Sequence, residues 1–327
     1  MYILIDNVKI SFDTKNIFLT EIELDIETKI NLLPDNIINE ILITLHDDNS
    51  TQHLIQNYYN NKDIKIYKNN ELIFIGKITG ENYNNKIIQL NCTSSIDLLM
   101  NSYLDYQTSS KNPVQIVKEI IDLIDNTLID TTSYTSILAL FTTKLCLVSY
   151  QVENENNKLN DEKSYKYAIN EICKLLNFYI YWQNGKFYFY DFNTYSKTQT
   201  ISRDFIEKPL FSVQYPDYTK LYIEWEGGSA LSEYSGNIAE YGTIEKSMIL
   251  SDANNIIFDN ETYLDNTIQD NINFNSYKQI YIEFTGLINL NFSDKILLKE
   301  NNINVYFRLI SKKYLSGNKY YYKGILT

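Results

Sequence analysis

Between Asp63 and Asp125 the chain reads DIKIYKNNELIFIGKITGENYNNKIIQLNCTSSIDLLMNSYLDYQTSSKNPVQIVKEIIDLID. Ile64-Lys-Ile-Tyr67 and Leu72-Ile-Phe-Ile-Gly76 flank the polar Lys68-Asn-Asn-Glu71, the pattern of a hairpin with a short loop. The second strand continues through Ile78 to a turn expected at Gly80–Asn85, and Ile87 to Cys92 returns. Closely spaced meandering strands of this kind predict a small barrel or sandwich. Thr93-Ser94-Ser95 caps a short helical run from Ile96 to Met100, with Asp97 in its first turn. Asn112-Pro113 then opens the strongest helix of the sequence, with proline at the first helical position. Val114, Val117, Ile120, Ile121 and Ile124 form one stripe at spacings of three and four, with Lys118, Glu119 and Asp122 off it.

Outward from this stretch, residues 1–60 read as strands. Tyr2–Asp6 and Ile17–Ile26 alternate apolar and polar, Ile41–His46 is a third strand, and residues 51–60 suit a short helix. Residues 127–150 are apolar and carry no decisive period, and 151–163 (QVENENNKLNDEK) form a polar loop. A second amphipathic helix is predicted from Lys163 to Asn177, with Tyr167, Ile169, Ile172, Cys173, Leu175 and Leu176 on its broad apolar face. Phe178–Trp182 and Lys186–Asp191 are strands joined by Asn184-Gly185, the favoured two-residue hairpin turn. From about residue 200 the chain is strand-rich again, with a polar excursion over 229–275 and a turn at Ser316-Gly317-Asn318. The fold class is therefore α+β, mainly β: two small β-barrels joined by a mixed α/β middle region. The expected domains are 1–106, 107–200 and 201–327.

Composition excludes several function classes. The 327 residues carry a net charge of −12, against a surface that grips nucleic acid through phosphates or docks on anionic lipid. Cys92, Cys146 and Cys173 are far apart and read as buried thiols in a reducing compartment. His46 and His53 are too few for a zinc site. The first residues lack the basic and apolar regions of a signal peptide, and no apolar run is long enough to span a bilayer. No membrane anchor, metal or cofactor is expected.

The search for chemistry returns no catalytic residue. GxSxG, the P-loop, GxGxxG and HExxH are all absent. Glu224 and Glu226 flank Trp225 and share one strand face, as on a solvated face over a core. The aromatic run from Phe178 to Tyr190 suits a stacking surface for sugars, but better suits a hairpin filled on both faces by the preceding helix or a second subunit. A carbohydrate-binding or glycan-degrading β-protein with an aromatic groove is the alternative reading.

The order of the weaker motifs is informative. Leu72-Ile-Phe-Ile-Gly-Lys-Ile78 is followed by Cys92-Thr-Ser-Ser-Ile-Asp-Leu-Leu99, then by the helix from Asn112 to Ile121. The helix and aromatic hairpin from Ala168 to Asp191 come next, and last Ser293-Asp294-Lys295-Ile-Leu-Leu298. This order resembles the baseplate hub proteins of phage tails and of related injection or gene-transfer particles. The sequence departs from that pattern in lacking a glycine before Asp294 and in its polar 229–275 stretch. The resemblance implies a structural, non-enzymatic protein that forms a homotrimeric ring with six barrels in pseudo-sixfold array. It implies as partners a tail tube or distal tail protein on one side and a spike or tip protein on the other. DNA would pass through the lumen without specific binding, which an acidic wall suits. The protein would be made in the host cytoplasm and reside in the particle's tail. Subunit contacts are expected at the first barrel's edge, Ile64, Ile66, Tyr67 and Phe74, and on the last strand, Tyr320, Tyr321 and Tyr322.

Overall fold

A computed structural model of the chain describes residues 1–24, 27–29, 40–68, 70–100, 102, 104–141, 146–150, 164–176, 178–191, 194–225, 228–233, 235–249, 256–258, 278–300, 303–315 and 319–327. The expected loop at 151–163, the turn at 316–318, residues 25 and 26, and Glu226 lie outside them, as do the side chains of Glu224, Trp225 and Cys146.

The first unit contains β1 (Tyr2–Ile5), β2 (Val8–Ser11), β3 (Ile17–Leu24), β4 (Glu27–Lys29), β5 (Glu40–Asp47), α1 (Ser50–Gln56), β6 (Asp63–Lys68), β7 (Glu71–Asn84), β8 (Ile87–Ser94) and α2 (Ser95–Met100). Seven of the strands form one sheet in the order β2-β1-β6-β7-β8-β5-β3, and β2 comes up beside β3, so the sheet nearly closes into a barrel. The alternation of β6 puts Ile64 and Ile66 inside and Lys65 outside, and Ile3, Ile43, Leu45, Ile78, Ile88 and Leu90 complete the core. Within the expected Gly80–Asn85 turn, β7 runs on to Asn84. A bulge between Ile78 and Gly80 absorbs the irregularity, the ladder to β8 continues to Asn84, and the turn falls at Asn85, whose φ is 55°. At Gly76 the backbones of β7 and β8 leave no room for a side chain: a Cβ there would lie 2.3 Å from the Thr93 carbonyl oxygen.

The middle unit contains β9 (Tyr106–Lys111), α3 (Pro113–Asp122), α4 (Thr131–Leu138), β10 (Cys146–Tyr150), α5 (Tyr165–Leu176), β11 (Tyr179–Gln183) and β12 (Lys186–Tyr190). The Asn112 side chain accepts from the Val114 amide, 2.9 Å, and so caps α3 ahead of Pro113. The predicted stripe is buried except for Ile124, which packs at the core's margin, and Ile116 joins it because α3 is covered on more than one side. On α5, Ala168, Ile169, Ile172 and Cys173 are buried, but Tyr167 is 40 % exposed, contrary to its expected place on the apolar face. Cys92 is buried as well, and burial pushes its thiol up to about 12. Neither Cys92 nor Cys173 is expected to react with iodoacetamide at pH 8 until the chain is unfolded, which mass spectrometry of the labelled protein checks.

The hairpin β11–β12 turns at Asn184 and Gly185, both at positive φ (53° and 76°), the geometry that a two-residue turn of this kind requires. It is buried on both faces. Phe178, Ile180, Phe187 and Phe189 join the helical core, while Tyr179, Tyr181 and Tyr190 join the core of the last unit. Its tip meets the first barrel: a Cβ on Gly185 would lie 2.7 Å from Cδ1 of Ile75. One hairpin therefore fills two hydrophobic cores and touches the outer face of the first barrel. This removes most of the aromatic run as a sugar-stacking surface.

The last unit contains β13 (Thr198–Ser202), β14 (Ile206–Gln214), β15 (Lys220–Trp225), β16 (Gly228–Glu233), α6 (Ser235–Tyr241), β17 (Glu245–Ile249), β18 (Ile256–Phe258), β19 (Gln279–Gly286), β20 (Lys295–Glu300), β21 (Ile303–Tyr314) and β22 (Tyr320–Leu326). The order β13-β20-β21-β22-β19-β14 is a half-barrel, in the place where the second β-barrel was expected. Around and within the stretch 229–275, β16 and β17 flank β15 in a small side sheet, and β18 pairs with β10 in the middle unit. The two large sheets are tied together twice. β4 leaves the first barrel and pairs with β21, Thr28 opposite Lys312. Tyr314 is buried in the first barrel's core, and Tyr320 packs against both cores. The Lys68 ammonium lies 4.1 Å above the Tyr314 ring, and burial at this seam holds it below the usual lysine range.

Candidate assembly surface

Of the residues expected at subunit contacts, Ile64, Ile66 and Phe74 lie in the first barrel's core and Tyr322 in the core of the half-barrel. Their side chains are used up inside the chain, because β6 and β22 are interior strands of their sheets. Tyr67, Tyr320 and Tyr321 are half-buried: Tyr67 stacks on Tyr2 at 4.9 Å, and the Tyr321 hydroxyl donates to Glu283, 2.5 Å.

Among the described residues the exposed apolar surface is elsewhere. Among the described strands β14 ends the half-barrel's sheet, paired with β19 along one edge. Leu210, Phe211 and Val213 on it are 61 %, 45 % and 46 % exposed, and Tyr215 just beyond is 65 % exposed. Consecutive exposed residues point to opposite faces of a strand, so β14 is wet on both sides as well as along its outer edge. A long apolar strand with a free edge is an association surface, and proteins that stay apart blunt such edges with charge, proline or a cover. Pro209 and Glu207 lie near the start of the strand, and among the described residues Leu210 to Gln214 carry no such guard.

A second patch closes the end of the first barrel. α1 bridges β5 and β6, and its Leu54, Ile55 and the following Tyr58 are exposed. Beneath it is a polar anchor. The fully buried Asp47 carboxylate accepts from the Tyr59 hydroxyl at 2.8 Å, from the Asn49 amide at 2.8 Å, and pairs with Nδ1 of His53. Burial, then the bond to Asp47, push the Tyr59 hydroxyl far above its usual range. Ser50 donates to the Asn85 carbonyl and not to His53, so aspartate, histidine and serine here hold a turn and form no charge-transfer triad. Asp47→Ala is expected to cost about 2–4 kcal/mol, because it strands a buried hydroxyl, whereas Tyr59→Phe costs about 1 kcal/mol. Urea unfolding of the two variants checks the difference.

A cleft of about 480 Å³ opens between α4, the aromatic hairpin and the half-barrel. Its floor is Arg308, fully buried, whose guanidinium donates to the carbonyls of Thr194 (2.8 Å) and Phe292 (3.3 Å) and lies 4.6 Å from the centre of the Tyr190 ring. This arginine pins the segment after the hairpin to the sheet. Asp294, from the last of the sequence motifs, is buried in the turn before β20, with the Lys197 ammonium 4.0 Å away. Among the described residues no group of histidine, cysteine and carboxylate side chains is placed to hold a metal, and no helix is long and apolar enough to cross a membrane.

The β14 edge escaped sequence reading because apolar residues in a strand look alike whether the strand is central or terminal. Only the order of strands in the finished sheet decides it.

No family model matches the sequence, and no curated protein does. Solved structures do. A tail protein from Neisseria meningitidis superposes with a TM-score of 0.59 at 9% identity, over 99% of this chain and 95% of that one. A prophage tail protein from Listeria monocytogenes gives 0.55 at 10%, over 99% and 94%. A 43 kDa prophage tail protein from Shewanella oneidensis gives 0.55 at 9%, over 100% and 98%. The chain therefore has the fold of phage tail proteins, and it has that fold along nearly its whole length.

Proposed function

We propose that this protein is a structural component of a phage-like tail, and within it the baseplate hub. Three copies close a ring in which first barrels and half-barrels alternate. The ring joins the tail tube or a distal tail protein to the spike or tip, and DNA passes through its centre. The observation that carries the reading is the likeness of fold to tail proteins over nearly the whole chain. The surfaces fit it. Lateral contacts have the β14 edge to use, and the α1 knob at the barrel's end suits an axial neighbour. A net charge of −12 suits a duct that must not hold phosphates. No enzymatic step is needed, and the protein resides in the tail of the particle.

Native mass spectrometry and electron microscopy of the full chain test it. Three copies in a ring with an open centre are expected. A single copy at every concentration, together with a single copy per tail in purified particles, would sink the reading.

A further inference from the structure

A ring of copies gives no task to the cleft between α4, the aromatic hairpin and the half-barrel. Its volume, about 480 Å³, lies in the range of small-molecule sites, roughly 300–1,000 Å³. Tyr188 borders it. That ring stacks on Tyr181 at 5.2 Å, and Tyr181 in turn packs on Phe292 at 4.7 Å. One face of Tyr188 is therefore covered from within, and the half-buried ring leaves the other toward the cleft. Asp130 stands beside it: burial, then the Asp130 charge, push the Tyr188 hydroxyl above its usual range. Asp130 is fixed as the N-cap of α4, where Oδ1 accepts from the Ser133 amide at 2.8 Å. A carboxylate has about four lone-pair sites, so this capping bond leaves Asp130 able to accept from a ligand. Gln183, at the end of β11, and Asn291, in the turn before β20, bring amides to the same cleft.

We infer that this cleft binds a neutral saccharide of one or two rings. The apolar face of a sugar ring lies on Tyr188, and the Asp130 carboxylate and the Gln183 amide take its hydroxyls. Charge selects the class of ligand. Among the described lining residues the charged groups are Asp130, Asp191 and Arg308, two acids against one base, in a chain of net charge −12. The Arg308 guanidinium is turned onto the carbonyls of Thr194 and Phe292. That balance disfavours phosphate, sulfate and uronate groups and favours uncharged hydroxyls. An apolar side chain of a peptide fits less well, because it would cover the acid and the amides without bonding them. Thr194 and Tyr195 at the mouth are exposed, so the ligand enters from solvent. The site uses one ring of the aromatic hairpin as its platform, while Phe178, Ile180, Phe187 and Phe189 stay in the core.

Saturation-transfer NMR of the full chain with maltose, cellobiose, lactose and diacetylchitobiose, each at millimolar concentration, tests it. At least one is expected to receive saturation on its ring protons, and the acidic digalacturonate to receive none. Asp130→Asn keeps an acceptor at the cap of α4 and removes the charge, and Gln183→Ala removes one amide at a half-buried position. Each is expected to weaken the bound disaccharide about tenfold in an NMR titration, and Tyr188→Ala by at least as much, with the far-ultraviolet circular dichroism of the first two unchanged. No saturation of any neutral disaccharide, a preference for digalacturonate, or wild-type affinity in Asp130→Asn or in Tyr188→Ala overturns the inference. None of these outcomes bears on how many copies assemble, so the ring and the sugar site fail separately.

Discussion

Gly76→Ala is expected to cost about 3 kcal/mol or more and to unfold the first barrel at a much lower urea concentration than the wild type. Its Cβ would stand 2.3 Å from the Thr93 carbonyl oxygen and 2.5 Å from the Phe74 ring. A ring can swing aside. The carbonyl cannot, because it belongs to β8, whose ladder holds Lys77 opposite Thr93. The barrel must open between β7 and β8 or the strand must slip. Gly242→Ala is the comparator. It has the harder backbone angle, φ 79°, but nothing within 4 Å of the added carbon. Only the strain of the left-handed conformation applies there, about 1 kcal/mol. Unfolding of the two variants followed by circular dichroism separates the steric cost from the backbone one. A loss in Gly76→Ala no larger than that in Gly242→Ala would show that the β7–β8 ladder yields to the added carbon.

Arg308→Ala is expected to have the second large effect, a loss of about 4 kcal/mol. It removes a fully buried side chain, leaves a cavity behind Tyr190, and takes both donors from the carbonyls of Thr194 and Phe292. Arg308→Lys keeps the charge but reaches one carbonyl at a time, and recovers part of the loss, since the planar fork is what spans the two. Arg308→Met fills the space without donors and apportions packing against hydrogen bonding. Thermal unfolding together with near-ultraviolet circular dichroism of the surrounding tyrosines reads all three. Near-wild-type stability in Arg308→Ala would mean that the segment after the hairpin is held by other contacts.

What was legible in the sequence was what local chemistry decides. Asn112 and Pro113 name the start of α3 because a cap and a fixed φ act within one turn. Asn184-Gly185 names the hairpin because few residues tolerate two positive φ angles in a row. The parity of Ile64 and Ile66 against Lys65 also pointed inward, and placing those isoleucines at a subunit contact set that signal aside. Tyr322 was misplaced for a different reason: a strand near the end of the chain turned out to lie between β21 and β19. The turn expected over Gly80–Asn85 falls at the last residue of that stretch because the ladder to β8 continues past the glycine to Asn84. The openness of the half-barrel, and with it the exposed β14, depends on how many strands finally assemble, which no short window contains. The aromatic hairpin was recognised as a hairpin buried on both faces; its contact with the first barrel through Gly185 was not foreseen, since it joins residues far apart in sequence.

The pairing of β4 with β21 bears on the order in which the chain folds. Every other ladder of the first barrel closes within residues 2–94, but β4 finds its partner at Ser311–Lys313. A chain synthesised from its N-terminus completes the barrel early and holds Glu27–Lys29 unpaired until β21 emerges. The long loop this contact closes makes it among the slowest to form. Closure of this single short ladder then marks the moment at which two separately folded sheets become one body.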